Sequence, residues 1–258
     1  MKTILSTILI LFLTAYVYAD CEGNGLSVFP AGKTLRQNSI IVLEGYGDSQ
    51  AIISDLNKKY PVYLKSGEKK VNLKVIETCV GQYHLTQAIL TPDTKLEAGL
   101  EYTIHIDNLP EFESLNRLND ETKKWEEIKY RVIYGEDTEK PFVQSTPKVI
   151  GKKLYYYGCG PSTHVEFNYN VKDDSEILIK TTVTNIKSGK ECIYYIQPTK
   201  NKIEVGHGMC GGAFDFDKNL NYEVSFSFMD ASGNTTYWQG EKIKFTKPTK
   251  RSTDDNDE

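Results

Sequence analysis

Reactive side chains are scarce in this chain: its 258 residues include only four histidines and five cysteines. It has no G-x-S-x-G elbow, no H-E-x-x-H helix, no P-loop and no Rossmann fingerprint, so nucleophilic, zinc-hydrolytic and nucleotide chemistry have no footing in the sequence. An excess of positive charge is lacking too, with Lys+Arg 31 against Asp+Glu 35 and a net charge of −4. Phosphate backbones demand a concentrated positive face, so nucleic acid is not an expected partner. Past Ala19 no segment is long or apolar enough to cross a bilayer, and no stable membrane insertion is expected of the mature protein. Nor is any stretch helix-rich; abundant Tyr, Ile, Thr and Val suit half-buried pleated surfaces.

What is present begins with an export signal. Lys2 supplies the positive start, Ile4 to Tyr18 is an almost unbroken apolar run, and Val17-Tyr18-Ala19 resembles a small-residue cleavage site. Cleavage there makes residues 1–19 a signal peptide and the product secreted, periplasmic or held at the cell surface. Asp20 stands where a bacterial lipoprotein signal wants a small residue before Cys21, which argues against a lipid anchor.

Two stretches of the chain match each other: Leu96-Glu-Ala-Gly99-Leu-Glu-Tyr102-Thr-Ile104-His-Ile106 and Phe216-Asp-Lys-Asn219-Leu-Asn-Tyr222-Glu-Val224-Ser-Phe226. Each has an apolar residue, a turn residue three positions on, a tyrosine three further, then alternating apolar residues. This is the pattern of a tyrosine corner, whose hydroxyl bonds back to the preceding backbone while its ring heads the buried face of a strand. Finding it twice at domain spacing predicts an all-β chain of two tandem immunoglobulin-like or fibronectin-III-like β-sandwiches. The first takes residues 20–137 and the second residues 138–248. The polar segment Glu136-Asp-Thr-Glu-Lys-Pro141 joins them, and residues 249–258 are expected to be a disordered acidic tail. Trp125 and Trp238 each introduce the last strand of their half.

Leu90-Thr-Pro92 followed by Leu96-x-x-Gly99-x-x-Tyr102-Thr-Ile104 resembles bacterial immunoglobulin-like domains of exported and surface-layer proteins, as does Asp230-Ala-Ser-Gly233-Asn234 in the second half. The resemblance implies adhesive, scaffolding or ligand-presenting roles and carries over no catalytic residue and no cofactor.

An exported chain meets an oxidising compartment, so its cysteines are expected to pair. Cys21 precedes the first strand and Cys79 closes a middle one, points that share a pole of a sandwich, which predicts a Cys21–Cys79 bridge. Cys159 and Cys210, flanked by glycines free to meet bridge geometry, are the second expected pair, with Cys192 left odd. His164 and His207 point to the pole of the three later cysteines, yet no C-x-x-C or H-x-x-x-H element accompanies them, and no metal site is expected. The acidic groups Asp173-Asp174-x-Glu176, Asp215-x-Asp217 and Asp230 to Asn234 match no calcium loop and read as turns. His105 and Asp107 share the outward face of a strand. Tyr155-Tyr156-Tyr157, Tyr194-Tyr195 and Tyr237-Trp238 divide between core and surface by alternation.

The run from Glu111 to Trp125 is longer than the connection between the last two strands of the first half requires. Its position corresponds to a recognition loop of antibody variable domains. Phe112, Leu115, Arg117, Leu118, Lys123 and Lys124 are therefore the expected binding residues. The leading expectation is a non-enzymatic exported protein that binds a protein or glycan partner. A periplasmic pilus-type chaperone and a carbohydrate-binding accessory protein are the alternatives.

Overall fold

The alternating residues that follow the two corner tyrosines form strands Glu101–Ile106 and Asn221–Asp230. The computed structural model describes residues 24–119, 122–199 and 201–252; the expected signal peptide, Cys21 and residues 253–258 lie outside them. Tyr102 and Tyr222 are 0% and 1% exposed. Each hydroxyl accepts the amide of the residue five positions back, from Glu97 at 3.4 Å and from Asp217 at 3.1 Å. Tyr222 also donates to Asp217 Oδ1 at 2.7 Å. Burial first, and the Asp217 carboxylate second, push the Tyr222 phenol well above its ordinary range. Both corners are present as the motif predicts.

In the first half, Gly25–Phe29, Ile41–Tyr46 and Leu85–Pro92 pair antiparallel in one sheet. Val62–Ser66, Glu101–Ile106 and Lys129–Val132 pair in another, with Thr34–Leu35 added in parallel. One long strand, Lys69–Val80, serves both: Lys69 to Asn72 pairs with Val62–Ser66, and Leu73 to Val80 with Leu85–Pro92. The strand changes partners between Asn72 and Leu73, and a bulge between Val75 and Glu77, just past that point, adds bend and twist. The core between the sheets holds Leu43, Leu64, Leu73, Leu90, Tyr102 and Tyr130. A short helix, Gln50–Ser54, which alternation does not announce, plugs one end with Ile52 and Ile53.

The second half pairs Val149–Tyr157, Gly160–Asn168 and Lys202–His207 in one sheet. A second sheet holds Glu191–Ile196, Ile177–Asn185 and Asn221–Asp230, extended by Thr235–Thr236 and Ile243–Thr246. Its core is aromatic, with Phe167 edge-on to Phe226 and Phe214 edge-on to Phe216 and Tyr222, the offset geometry that ring quadrupoles favour. Tyr194 points into this core while Tyr156 and Tyr237 are exposed. Residues 249–252 are docked rather than free of structure: Ser252 N–H donates to Leu154 O at 2.8 Å, and Leu154 N–H donates to Ser252 Oγ at 3.0 Å. Trp125 and Trp238 each precede the last strand of their half, Lys129–Val132 and Ile243–Thr246, but their surroundings differ. Trp238 packs edge-on against Phe226, whereas Trp125 is 69% exposed.

A third apolar cluster joins the halves. Phe29, Ile40, Val42, Cys79 and Ile89 of the first half meet Leu178, Tyr195, Met229 and Ala231 of the second. Leu85–Pro92 is therefore buried on both faces, which accounts for its unbroken Ala88-Ile89-Leu90 run. Polar groups inside the seam are matched. Gln87, 1% exposed, donates from Nε2 to Tyr195 O and accepts Tyr195 N–H at Oε1, both at 2.8 Å. Glu77 accepts Tyr195 Oη–H at 2.8 Å and Lys180 Nζ–H at 2.6 Å. Burial alone would raise the Glu77 carboxyl, but these bonds from Lys180 and Tyr195 outweigh it and hold it below the ordinary range. Farther along, Gln82 N–H donates to Ala213 O at 2.8 Å and Gly212 N–H to Tyr83 O at 2.7 Å. Gly81 permits this approach, since a Cβ there would collide with Ala213. The joining segment is pinned to both sides, with Asp137 O accepting Asn38 Nδ2–H at 2.7 Å and Asn234 Nδ2–H at 3.0 Å.

Tyr102→Phe and Tyr222→Phe each lower the unfolding midpoint, by a destabilisation of about 1 kcal/mol, the usual scale for one hydrogen bond. An unchanged midpoint in chemical denaturation removes that tyrosine from the corner. Gln87→Ala leaves a buried amide and carbonyl of Tyr195 without partners, at a cost of about 2 kcal/mol. Hydrogen exchange reads this as faster exchange at Tyr195 while the two cores keep their protection; equal exchange in both proteins contradicts it.

Candidate functional site

Residues 111–119 and 122–125 are not an open loop. Their polar middle folds a hairpin arm in which Asn116–Leu118 pairs with Trp125–Glu127, placing Asn116 opposite Glu127, Arg117 opposite Glu126 and Leu118 opposite Trp125. Asn119 forms the turn, accepting Thr122 N–H at its Oδ1 at 3.1 Å and Lys123 N–H at its carbonyl at 2.8 Å. Asn119 Nδ2 and Thr122 Oγ1 both donate to Glu126, at 2.9 and 3.0 Å, and these bonds lower the Glu126 carboxyl from its ordinary range.

Arg117 holds the arm to the sandwich. Its guanidinium donates to the carbonyls of Val28 at 3.3 Å, Pro30 at 3.0 Å and Ala31. A planar fork with five N–H donors suits such a cluster of carbonyls better than an ammonium does. The base of the arm is anchored as well: Leu115 packs against the first core and Ser49 Oγ donates to Glu113. Leu118 and Trp125, opposite one another on the arm, are 41% and 69% exposed.

Between arm and sheet lies a cleft of about 490 Å³, walled by Lys33, Glu101, Leu118, Glu126, Lys129 and Arg131. The six expected binding residues are thus divided. Arg117 and Leu118 line the cleft, Leu115 belongs to the core, Phe112 is exposed, and Lys123 and Lys124 stand exposed on the arm. Lys33, Glu101, Lys129 and Arg131 were not among them. Their signal is the outward phase of alternation, which marks a strand's polar face without saying what stands above it.

The acidic turns behave as their sequences suggest. Asp173 Oδ1 accepts Ser175 N–H at 2.8 Å, Asp217 Oδ1 accepts Asn219 N–H at 2.6 Å, and Asp230 Oδ1 accepts Ser232 and Asn234 N–H, each at 2.8 Å. Glu176 does something else, bridging the halves by accepting Ala31 N–H at 2.9 Å and Gly32 N–H at 2.5 Å. Carboxylate oxygens of Asp137, Asp173 and Asp230 come within 4.8 Å of one another. These are hard donors, fewer than the six to eight that calcium takes. Burial first, with the charge of Asp137 as a lesser cause, raises the Asp230 carboxyl against the bonds from Asn234 and Ser232. His105 and Asp107 are engaged on their strand face, His105 Nε2 with Thr103 Oγ1 at 2.7 Å and Asp107 Oδ1 with Tyr63 Oη–H at 2.9 Å.

Both expected disulfides are corrected. Cys79 and Cys159 are free thiols, as is Cys192, so neither Cys21–Cys79 nor Cys159–Cys210 forms. Cys79 faces the seam between the halves rather than the pole, and burial, aided by Glu77, pushes its thiol up to about 12. Cys159 lies at the tip of the hairpin joining Val149–Tyr157 to Gly160–Asn168. Cys192 sits in the second core with Sγ 3.4 Å from Ala213 O, its thiol raised to about 11 by burial. His207 Nδ1 lies 2.7 Å from Gly208 O and Nε2 3.3 Å from Asp215 Oδ1. Burial first, and the charge of His207 second, lower its neighbour His164 to about 4.

No family model and no curated protein matches this chain. Solved structures align with it at low similarity. A pullulanase type I from Bacillus subtilis, complexed with maltose, is 10% identical with a TM-score of 0.24, over 86% of this chain and 24% of that one. A cytokine receptor complex is 7% identical with a TM-score of 0.25, over 85% and 94%. The tandem Ig repeats of Dlar are 6% identical with a TM-score of 0.22, over 87% and 98%. The chain spans about a quarter of the length of the pullulanase it matches. No helix among the described residues is long and apolar enough to cross a membrane.

Arg117→Ala costs the first half about 2 kcal/mol, the range for hydrogen bonds made by a charged group, and speeds hydrogen exchange across residues 111–127. Arg117→Lys recovers little, because a single ammonium does not reproduce the fork. An arm whose exchange is the same in all three proteins is not held by Arg117.

Proposed function

We propose that this chain is an exported, non-enzymatic binding protein made of two immunoglobulin-like domains, and that it presents the hairpin arm of the first domain to a protein or glycan. The observation that carries the reading is the exposed cross-strand pair Leu118 and Trp125 on an arm that Arg117 clamps to the sandwich. An exposed tryptophan on a fixed support offers a large contact area with little ordering cost on binding. Beside it, Lys33, Lys129 and Arg131 face Glu101 and Glu126 across the cleft, a mixed-charge rim suited to the hydroxyls of a sugar or the backbone and side chains of a peptide. The locked seam between the domains supports the same role, since it fixes the direction in which the arm points. Export rests on the leader pattern of residues 1–19.

The test pairs a glycan array with crosslinking to secreted and surface proteins of the source cells. Wild-type protein retains one ligand class, and the Leu118→Ala, Trp125→Ala double variant loses at least about tenfold in affinity, as expected of a removed aromatic anchor, with an unchanged unfolding midpoint. Equal retention by both proteins overturns the assignment of the arm. Turnover of a captured glycan would overturn the non-enzymatic reading.

A further inference from the structure

Val149–Tyr157 is the edge of its sheet: among the described residues it pairs with Gly160–Asn168 and with no strand on its other side. Leu154 turns its backbone outward, because Ser252 engages both its N–H and its C=O. Backbone groups alternate along a strand, so Lys152 and Tyr156 present theirs to the same side. Pro161 stands opposite Tyr156; having no N–H, it suits a position where the ladder makes no bond.

The C-terminal run of the chain lies over this edge as a strap. Lys152 Nζ donates to Thr246 Oγ1, the Arg251 guanidinium stands 6.0 Å over the Tyr156 ring, and Ser252 takes the place of a neighbouring strand at Leu154. Charge beside the strap is one-sided. A cavity of about 460 Å³ is lined by Lys152, Lys247 and Lys250 with Asn221, Thr246 and Thr249, and no carboxylate lines it. Exposed Arg251 adds to the same sign, in a chain whose net charge is −4. Ile150 and Tyr156 are exposed apolar groups on the strand itself.

We propose that the outer edge of Val149–Tyr157 is a strand-docking site for an extended, carboxylate-bearing segment of a partner protein, and that Ser252 holds the site closed until such a segment displaces it. Main-chain bonds to Lys152, Leu154 and Tyr156 supply affinity, and the lysines of the cavity select acidic side chains. A bare edge strand invites indiscriminate pairing; a strap held at Leu154 by two hydrogen bonds covers it and yields to a better-matched segment. Because the closed strap competes, the measured affinity is the intrinsic one scaled by the fraction of chains in which the strap is open. The site belongs to the second half and is independent of the binding role given to the arm.

The full chain and its Ser252→Pro variant, which lacks the N–H and the Oγ that engage Leu154, are titrated into a short labelled peptide alternating valine with aspartate and into its counterpart alternating valine with lysine. Both proteins bind the aspartate peptide and neither binds the lysine peptide. Ser252→Pro binds about tenfold more tightly, as expected when a competing closed state is removed. Bound peptide slows hydrogen exchange at the Leu154 amide, and adding Lys152→Glu to Ser252→Pro abolishes the gain while near-ultraviolet dichroism stays unchanged. Equal binding of the two peptides, no binding to Ser252→Pro, or the same affinity with and without the strap overturns the proposal. Self-association of Ser252→Pro in sedimentation, in place of peptide binding, assigns the edge to a second copy and overturns the partner. A peptide that protects the arm instead of Leu154 overturns the edge.

Discussion

The seam between the two halves is the constraint on which the rest of the molecule depends. Leu85–Pro92 and Ile177–Asn185 are central strands of their sheets, and each is covered on both faces. The inward faces build separate cores, and the outward faces build the third cluster around Val42, Ile89, Leu178 and Met229. A seam of this kind is stable only if the polar groups it buries are matched, because an unpartnered buried amide or carbonyl costs about 1–3 kcal/mol. Gln87 meets that condition by presenting a primary amide to the Tyr195 backbone as a neighbouring strand would. Glu77 meets it by collecting Lys180 and the Tyr195 hydroxyl, and Glu176 by taking two amides from the Ala31–Gly32 turn.

A fixed seam gives the arm a fixed heading. The arm is a three-residue ladder, too short to hold its shape in water alone, and its order comes from Arg117 reaching the carbonyls of Val28, Pro30 and Ala31. Those carbonyls belong to the same turn whose amides bind Glu176 of the second half. One short stretch, Val28 to Gly32, thus connects the arm on one side to the seam on the other through its two sets of backbone polar groups. A change in the second half that moved Glu176 would act on this turn and through it on the arm.

The elements most legible in the sequence were those fixed by local chemistry. Tyr102 and Tyr222 were readable because a corner needs an apolar residue, a turn residue and a tyrosine at set spacings along one chain. The acidic turns were readable because Asp and Asn side chains bond their own backbone two residues on. The helix Gln50–Ser54 was missed because five residues carry too little periodicity to show. The disulfides went wrong at the same level: Cys79 and Cys159 sit on the expected strands and hairpins, but whether two sulfurs meet depends on which way each strand face turns. The arm was legible as an excess of length between strands and illegible as a hairpin, since Arg117 finds its acceptors more than eighty residues away in sequence.

By itself the sequence determined an all-β chain, two tyrosine corners, the alternating strands that follow them, and a long connection before the last strand of the first half. These follow from period-two patterning and turn chemistry, which act over a few residues. Only the tertiary structure decided that the outward faces of the two halves are joined, that Arg117 and Leu115 support the arm while Leu118 and Trp125 stand exposed on it, and that Cys79 and Cys192 are buried thiols. The reason is physical: alternation states which residues share a face, and burial is settled only when another part of the chain covers it.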